Sequence, residues 1–180
     1  MTDAVIDTLA VLGVIGQVVL VLLVAAGLLR VAGLHGPWDF VRDSVGGSEL
    51  WLAFAVAALA TAGSIFFSEV AHFVPCKLCW FQRIAMYPLV LLALPAAASD
   101  RRAARYLLPL PVVGLSVSIY HLLVERGVFE ETQSCQISAP GGCSVKWIEE
   151  FGYLTIPMLA ATGFALCIVL LALVATDERG

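Results

Sequence analysis

Five long runs of apolar residues, separated by short polar segments, dominate the pattern of this 180-residue chain. The runs cover residues 8–29, 50–67, 80–98, 106–124 and 154–176. At 1.5 Å per helical residue each run is about 27–35 Å long, which matches the roughly 30 Å hydrocarbon core of a bilayer. The runs are too long and too continuously apolar for the alternating strands of a membrane barrel. The pattern predicts five transmembrane α-helices.

Composition supports the same class of protein. Hydrophobic residues make up 61% of the chain and charged residues 13%, against about 25% charged residues in soluble domains. A soluble enzyme or a disordered chain is therefore excluded. The net charge of −4 and the lack of a separate basic block argue against nucleic-acid binding. The expected surroundings are membrane lipid.

The arginines indicate an orientation, because short loops rich in Lys and Arg stay in the cytoplasm. If residue 1 lies outside, six arginines lie inside, namely Arg30, Arg42, Arg101, Arg102, Arg105 and Arg179. Four basic residues then lie outside, namely Lys77, Arg83, Arg126 and Lys146. The first run follows two aspartates and no basic residue, the reverse of a secretory signal. We therefore expect it to be a retained helix.

Residues 125–153 form the sizeable outer segment of this topology. Within it Val145, Ile148 and Phe151 recur at helical spacing, opposite Lys146 and two glutamates. This pattern predicts a short helix lying in the plane of the membrane interface.

Four of the five cysteines fall on the outer side in two pairs. Cys76 and Cys79 form a CxxC where a loop enters the third run, and helix N-termini stabilise thiolates. Cys135 and Cys143 flank the turn-rich segment QISAPGG, so their thiols could also bridge. Cys167 lies in the middle of the fifth run, where a small core or lipid-facing hydrophobe is expected.

Three interpretations of the outer cysteines remain open at this point. They could form two static disulfides, a four-cysteine zinc site, or a thiol–disulfide relay in which one pair oxidises the other. A CxxC at a helix start favours the relay, which needs no metal.

Two polar residues at the outer ends of predicted helices are candidates for contact with an electron acceptor. Arg83 lies one helical turn after Cys79, at the edge of the hydrocarbon, where an arginine is costly. It could stabilise a thiolate or the negative charge developing on a membrane-soluble acceptor, which points to a quinone. His121 lies near the outer end of the fourth run and is the second candidate, with an interfacial histidine as the alternative.

The stretch PCKLCWFQRIAMYPLVLL at 75–92 resembles the signature of the DsbB family of membrane thiol oxidases, especially its BdbC-like branch. SIYHLL at 118–123 and FGYLTIPMLA at 151–160 are similar to the same branch. The resemblance covers about residues 50–175 and implies an all-α integral membrane fold with a four-helix transmembrane bundle. Residues 1–49 would then be an additional N-terminal transmembrane helix with an inner link, and 50–180 the DsbB-like domain with its outer cysteine loop at 125–153.

The resemblance also implies a function and a location. A reduced thioredoxin-fold, DsbA-like partner would attack Cys135, Cys143 would pass the electron pair towards Cys76, and Cys79 would face menaquinone or ubiquinone, with Arg83 near the quinone ring. The protein would act on the outer face of a bacterial cytoplasmic membrane. A non-catalytic membrane scaffold with static disulfides or zinc is the alternative, and a reductase running the relay in reverse is a third.

Overall fold

The computed structural model describes residues 2–99 and 101–177. Arg179, counted above among the inner charges, and the last residues of the expected second domain lie outside the described residues. The chain is helical almost throughout, and the described part contains no β-strand. The helices are α1 (Thr2–Val31), α2 (Gly36–Val45), α3 (Glu49–Ile65), α4 (Lys77–Ser99), α5 (Ala104–Leu107), α6 (Pro109–Glu125), α7 (Gln133–Gln136) and α8 (Ile156–Asp177).

Five helical segments of the described chain are long and apolar enough to cross a membrane, so the predicted number and class of spans are confirmed. The second span continues beyond α3 as a π-helical turn, Phe66–Val70. The fourth span combines a 3₁₀ turn (Arg101–Ala103), α5 and α6. It is interrupted just before Pro109, because proline has no backbone N–H to continue the hydrogen-bond ladder.

The core of the bundle lies between α3, α4, α6 and α8. Phe164 and Leu171 of α8 are completely buried there, and so is Cys167, as expected of a core cysteine. Gly114 of α6 allows the Phe164 ring to approach, since a Cβ at position 114 would lie 2.3 Å from ring atoms. Close packing of this kind makes the helix contact specific.

Helix α1 packs along α8 outside this core. The inner link contains the amphipathic helix α2, which the apolar pattern does not reveal. Trp38 of α2 packs near Gly27 of α1 and lies under the Arg30 guanidinium, 5.5 Å from the ring centroid. At this end of the bundle, buried Glu49 accepts a hydrogen bond from Arg101 at 2.9 Å. The opposite end, which carries the two cysteine pairs, is called the cysteine end below.

The interfacial helix expected around Val145–Phe151 is not formed, so this prediction is wrong. The segment consists of bends and a tight turn, in which the Glu150 and Leu154 backbones pair with each other. Its apolar residues find separate tertiary partners. Ile148 is buried, and Trp147 stacks on Phe73 with ring centroids 5.1 Å apart. The apolar residues of this segment recur at helical spacing because separate tertiary contacts at the end of the bundle require them, and not because the segment is a helix.

Candidate functional site

The first cysteine pair forms the start of α4. The Cys76 carbonyl accepts the Trp80 N–H at 3.1 Å, and the Cys76 Sγ accepts the Cys79 N–H at 3.4 Å. Cys76 is therefore the N-cap of the helix, with sulfur in the place that a serine or aspartate oxygen usually takes. Both thiols are free, and their Sγ atoms lie 3.1 Å apart. The two residues are positioned to form and break a disulfide without rearranging the helix.

Cys76 occupies a buried environment that favours its thiolate. Its side chain is 4% exposed, and the Nε2 of buried His121 lies 3.7 Å from its sulfur. The hydrogen bond from the Cys79 side chain lowers the pKa of the Cys76 thiol well below its ordinary value, and His121 lowers it further against the opposing effect of burial. The helix N-terminus acts in the same direction. These contacts favour the thiolate form of Cys76.

The second pair is bonded to itself and packs against the first. Cys135 and Cys143 form a disulfide with Cα atoms 5.4 Å apart. The Cys143 carbonyl lies 3.0 Å from His121 Nε2, so that nitrogen carries a proton and faces both cysteine pairs. Cys76, Cys135 and Cys143 belong to one buried cluster, with Cys79 at its edge. The structure therefore brings together the four cysteines that the sequence pairs only locally.

Two residues that the sequence analysis did not single out hold the cysteine loop in place. The Ser138 hydroxyl accepts the Lys77 N–H at 3.1 Å and donates to the Cys135 carbonyl at 2.7 Å, which ties the loop to the start of α4. The Glu131 carboxylate accepts the Ser144 N–H. It occupies the space that a Cβ on Gly142 would need, and Gly142 has a φ of +75°. The sequence signal for the role of Ser138 is its position three residues after Cys135 in a turn-rich segment, where serine hydroxyls often bond to nearby backbone groups.

Arg83 is anchored by hydrogen bonds to Ser64 of α3. Its Nε donates to the Ser64 hydroxyl at 2.9 Å, and a terminal nitrogen donates to the Ser64 carbonyl at 2.8 Å. The guanidinium also lies over the Trp80 ring, 5.4 Å from its centroid. These contacts fix the charge at the membrane edge while part of its fork of five N–H donors remains without an acceptor among the described residues.

Cys79 and Arg83 line a cavity of about 420 Å³ between α1, α3, α4 and α8. The rest of its wall is almost entirely apolar, and the Ser64 and Thr162 hydroxyls are among the few polar groups on it. Cys76 and His121 are not part of this wall. They line a small neighbouring pocket beside the cysteine loop, and Cys79 lines both spaces. The two residues expected to contact the same acceptor, Arg83 and His121, therefore lie on different sides of the CxxC.

The arrangement also bears on metal binding. One ligand atom each from Cys76, Cys79 and His121 lies within 4.8 Å of the others, a set that could hold a metal ion. The four-cysteine zinc site considered above is not formed in this state, because Cys135 and Cys143 are bonded to each other. Cys167 contacts none of these groups, and its sulfur lies 3.7 Å from the Ala53 carbonyl in the core.

Comparison with known proteins identifies the family. The model of the family described as "Disulfide bond formation protein DsbB" matches residues 48–174. The chain belongs to the DsbB family. Among curated DsbB-like relatives, "Disulfide bond formation protein C" of Bacillus subtilis is 41% identical over 131 residues, covering 72% of this chain and 94% of the relative. A "Probable disulfide formation protein" of Deinococcus radiodurans is 41% identical over 134 residues, covering 69% and 87%. No solved structure matches significantly.

The resemblance to the BdbC-like branch of the DsbB family is therefore confirmed. Family membership and the helical architecture together describe a multi-pass membrane protein with a protein-disulfide oxidoreductase role in disulfide-bond formation. The family match begins after α1, at residue 48. Helix α1 therefore lies outside the matched residues.

Proposed function

We propose that this DsbB-family protein is a quinone-dependent thiol oxidase that reoxidises a thioredoxin-fold dithiol partner through its two cysteine pairs. One observation carries the proposal. Cys79 lines the apolar cavity together with Arg83, whereas Cys76 contacts His121 and belongs to the buried cluster of the Cys135–Cys143 disulfide. The first pair therefore adjoins both the second pair and a space open to a membrane-soluble molecule.

Electron flow through these groups balances as two thiol–disulfide exchanges. A partner thiolate attacks the Cys135–Cys143 disulfide at Cys135, and resolution leaves an oxidised partner and a Cys135/Cys143 dithiol. The Cys143 thiolate then attacks an oxidised Cys76–Cys79 disulfide at Cys76, and Cys79 leaves as the thiolate. Completion re-forms the Cys135–Cys143 disulfide and leaves Cys76 and Cys79 reduced. That final arrangement, with free thiols 3.1 Å apart beside an intact loop disulfide, matches the structure.

The cavity has the chemistry that a quinone requires. Its wall is apolar, as an isoprenoid tail needs, and Arg83 supplies N–H donors for a ring oxygen beside Cys79. A quinone bound there would supply a sink for two electrons and two protons, and a menaquinone or a ubiquinone meets this description equally. Ser64 and Trp80 hold the guanidinium at that place. A fixed cation lining the same cavity as the leaving sulfur favours departure of Cys79 as the thiolate.

His121 has a different part in this proposal from the acceptor contact expected of it. Its Nε2–H faces both the Cys76 sulfur and the Cys143 carbonyl, at 3.7 and 3.0 Å. It is therefore a positioning residue that stabilises the Cys76 thiolate and holds the loop disulfide against it. The cysteine end is assigned to the extracytoplasmic face of a bacterial cytoplasmic membrane, since three arginines cluster at 101–105 towards the other end.

The test is reduction of quinone by a reduced thioredoxin-fold dithiol protein, with the full chain in lipid nanodiscs. Cys76→Ser and Cys79→Ser should each abolish turnover, while Cys167→Ser, a matched change in the core, should leave it intact. Arg83→Gln should raise the apparent KM for quinone more than the KM for the partner. Full activity of either CxxC variant would refute the relay.

Thiol titration of the same protein separates the other functions. Static disulfides or a zinc scaffold predict free thiols that do not respond to quinone, or stoichiometric metal released by a chelator. A reductase predicts that quinol reduces the loop disulfide. The direction of electron flow depends on the difference in reduction potential between the cysteine pair and the quinone, and a difference of 30 mV corresponds to about 1.4 kcal/mol for two electrons.

A further inference from the structure

The additional helix α1 forms one whole side of the cavity that contains Cys79 and Arg83. Its lining side chains run from Leu9 to Leu23 and include Leu12 and Val19. At 1.5 Å per residue this strip extends about 21 Å along the helix axis. The cavity is thus bounded over about two thirds of the roughly 30 Å hydrocarbon core by a helix that lies outside the DsbB family match.

Specific contacts hold α1 in this place on α8. The Gln17 side-chain amide donates to the Thr162 hydroxyl at 3.3 Å and accepts the Tyr153 hydroxyl proton at 2.8 Å. A Cβ on Gly16 would lie 3.3 Å from Leu166, so the two helices approach closely there. In lipid the hydrophobic effect does not drive helices together, so close packing at small residues and hydrogen bonds between polar side chains hold them in contact. α1 is therefore a fixed wall rather than a loose anchor.

The cavity opens sideways between α1 and α3. Ile15 and Val19 of α1 line it and yet are 53% and 42% exposed, and Leu52 and Leu59 of α3 also line it while remaining exposed. Side chains that are both lining and exposed mark the mouth of a cavity. In a membrane-spanning bundle this mouth faces the acyl chains of the lipid.

We propose that α1 and α3 frame a lateral entrance and that α1 is the wall against which the isoprenoid tail of the quinone lies. This inference rests on the proposed function. The tail is the expected occupant because the strip is apolar, continuous with the Arg83 and Cys79 end, and open to the phase in which tailed quinones dissolve. The consequence is selectivity: α1 contributes to binding of tailed quinones and not to binding of the ring.

The experiment compares Val19→Trp with Val18→Trp in the full chain. Val18 is the matched control, because it is 53% exposed on the same helix and does not line the cavity. The probes are menaquinone with a short isoprenoid tail and dimethylnaphthoquinone, which carries the same ring without the tail. Val19→Trp should raise the KM for the tailed quinone about tenfold, equivalent to 1.4 kcal/mol of lost apolar contact, and leave KM for the tailless ring and kcat unchanged.

Each other outcome has a defined meaning. An unchanged KM for the tailed quinone, an equal rise for both quinones, or the same effect from Val18→Trp would overturn the role of α1. Occupation of the cavity by a lipid acyl chain predicts the first of these results. If the parent protein reduces neither quinone, the proposed function fails, and this result is distinct from the other three.

A second measurement avoids any substitution in the protein. A menaquinone analogue with a photoreactive group at the end of its tail should label peptides from residues 2–31 in the parent protein. The labelling should be prevented by excess tailed quinone but not by dimethylnaphthoquinone. Labelling confined to α4, α6 or α8 would overturn the assignment of the tail to α1.

Discussion

Removal of the His121 imidazole should raise the pKa of the Cys76 thiol. The Nε2–Sγ distance is 3.7 Å, long for a hydrogen bond even with sulfur as the acceptor. Hydrogen bonds to charged groups contribute about 1.5–3 kcal/mol, and one pKa unit corresponds to about 1.36 kcal/mol. The long contact places the effect at the low end, so His121→Ala should move the pKa upward by about one unit.

The assay is the rate of Cys76 alkylation by iodoacetamide as a function of pH, resolved from Cys79 by mass spectrometry. Because the pKa of Cys76 is lowered to about 4 in the folded protein, its rate, followed from pH 9 down to about 3, should stay on a plateau until the pH approaches that pKa. In this range the rate for a thiol of ordinary pKa drops about tenfold per pH unit. In His121→Ala the end of the plateau should move to higher pH.

Two variants isolate the cause. His121→Gln keeps a side-chain N–H and should recover part of the shift, and His72→Asn, at an exposed position with a φ of +56° that Asn tolerates, should produce none. The loop disulfide must remain intact in every variant, because His121 also contacts the Cys143 carbonyl. A pH profile for His121→Ala that coincides with the parent profile would refute the reasoning.

Three further predictions follow from contacts at the same end and in the core. Ser138→Ala should slow exchange between the two cysteine pairs about fivefold, since it removes a contact of about 1 kcal/mol that ties the loop to Lys77. Stopped-flow thiol trapping measures the exchange rate, and Ser116→Ala, at an exposed position, should leave that rate unchanged. Gly114→Ala should destabilise the bundle by about 1–3 kcal/mol, because its Cβ would meet the Phe164 ring. Denaturation in mixed micelles measures the free energy of unfolding, and Gly36→Ala is the control because position 36 has open space around it. Zn²⁺ should inhibit the reduced protein by binding Cys76, Cys79 and His121; inhibition should reverse with a chelator and weaken in His121→Ala, and equal inhibition of that variant would contradict a three-ligand site.

Most of the architecture follows from the sequence because bilayer-length apolar runs report directly on helices that cross a membrane. The proximity of Cys135 and Cys143 also follows, since seven residues with Pro140 and two glycines must turn. Features of this kind depend on one segment of the chain and can be predicted from it. Contacts between two distant segments cannot be predicted in the same way.

The rotation and depth at which the helices pack against each other cannot be read from the sequence pattern. His121 lies 45 residues from Cys76, and Ser64 lies 19 residues from Arg83, so only the rotation and depth of packed helices brings each pair together. The expected helix at residues 145–151 failed for the same reason. Its periodicity reflects where Ile148 and Trp147 find partners on the bundle, which tertiary packing decides.

The two cysteines of the CxxC have different surroundings. Cys79 lines the lipid-facing cavity, and Cys76 does not; yet their sulfurs are 3.1 Å apart. In the proposed relay, a disulfide between these two sulfurs would let electrons pass from a water-soluble protein to a membrane-soluble acceptor without contact between the two molecules. The proposed function would thus reserve the oxidising power of the membrane quinone for proteins that can open the loop disulfide.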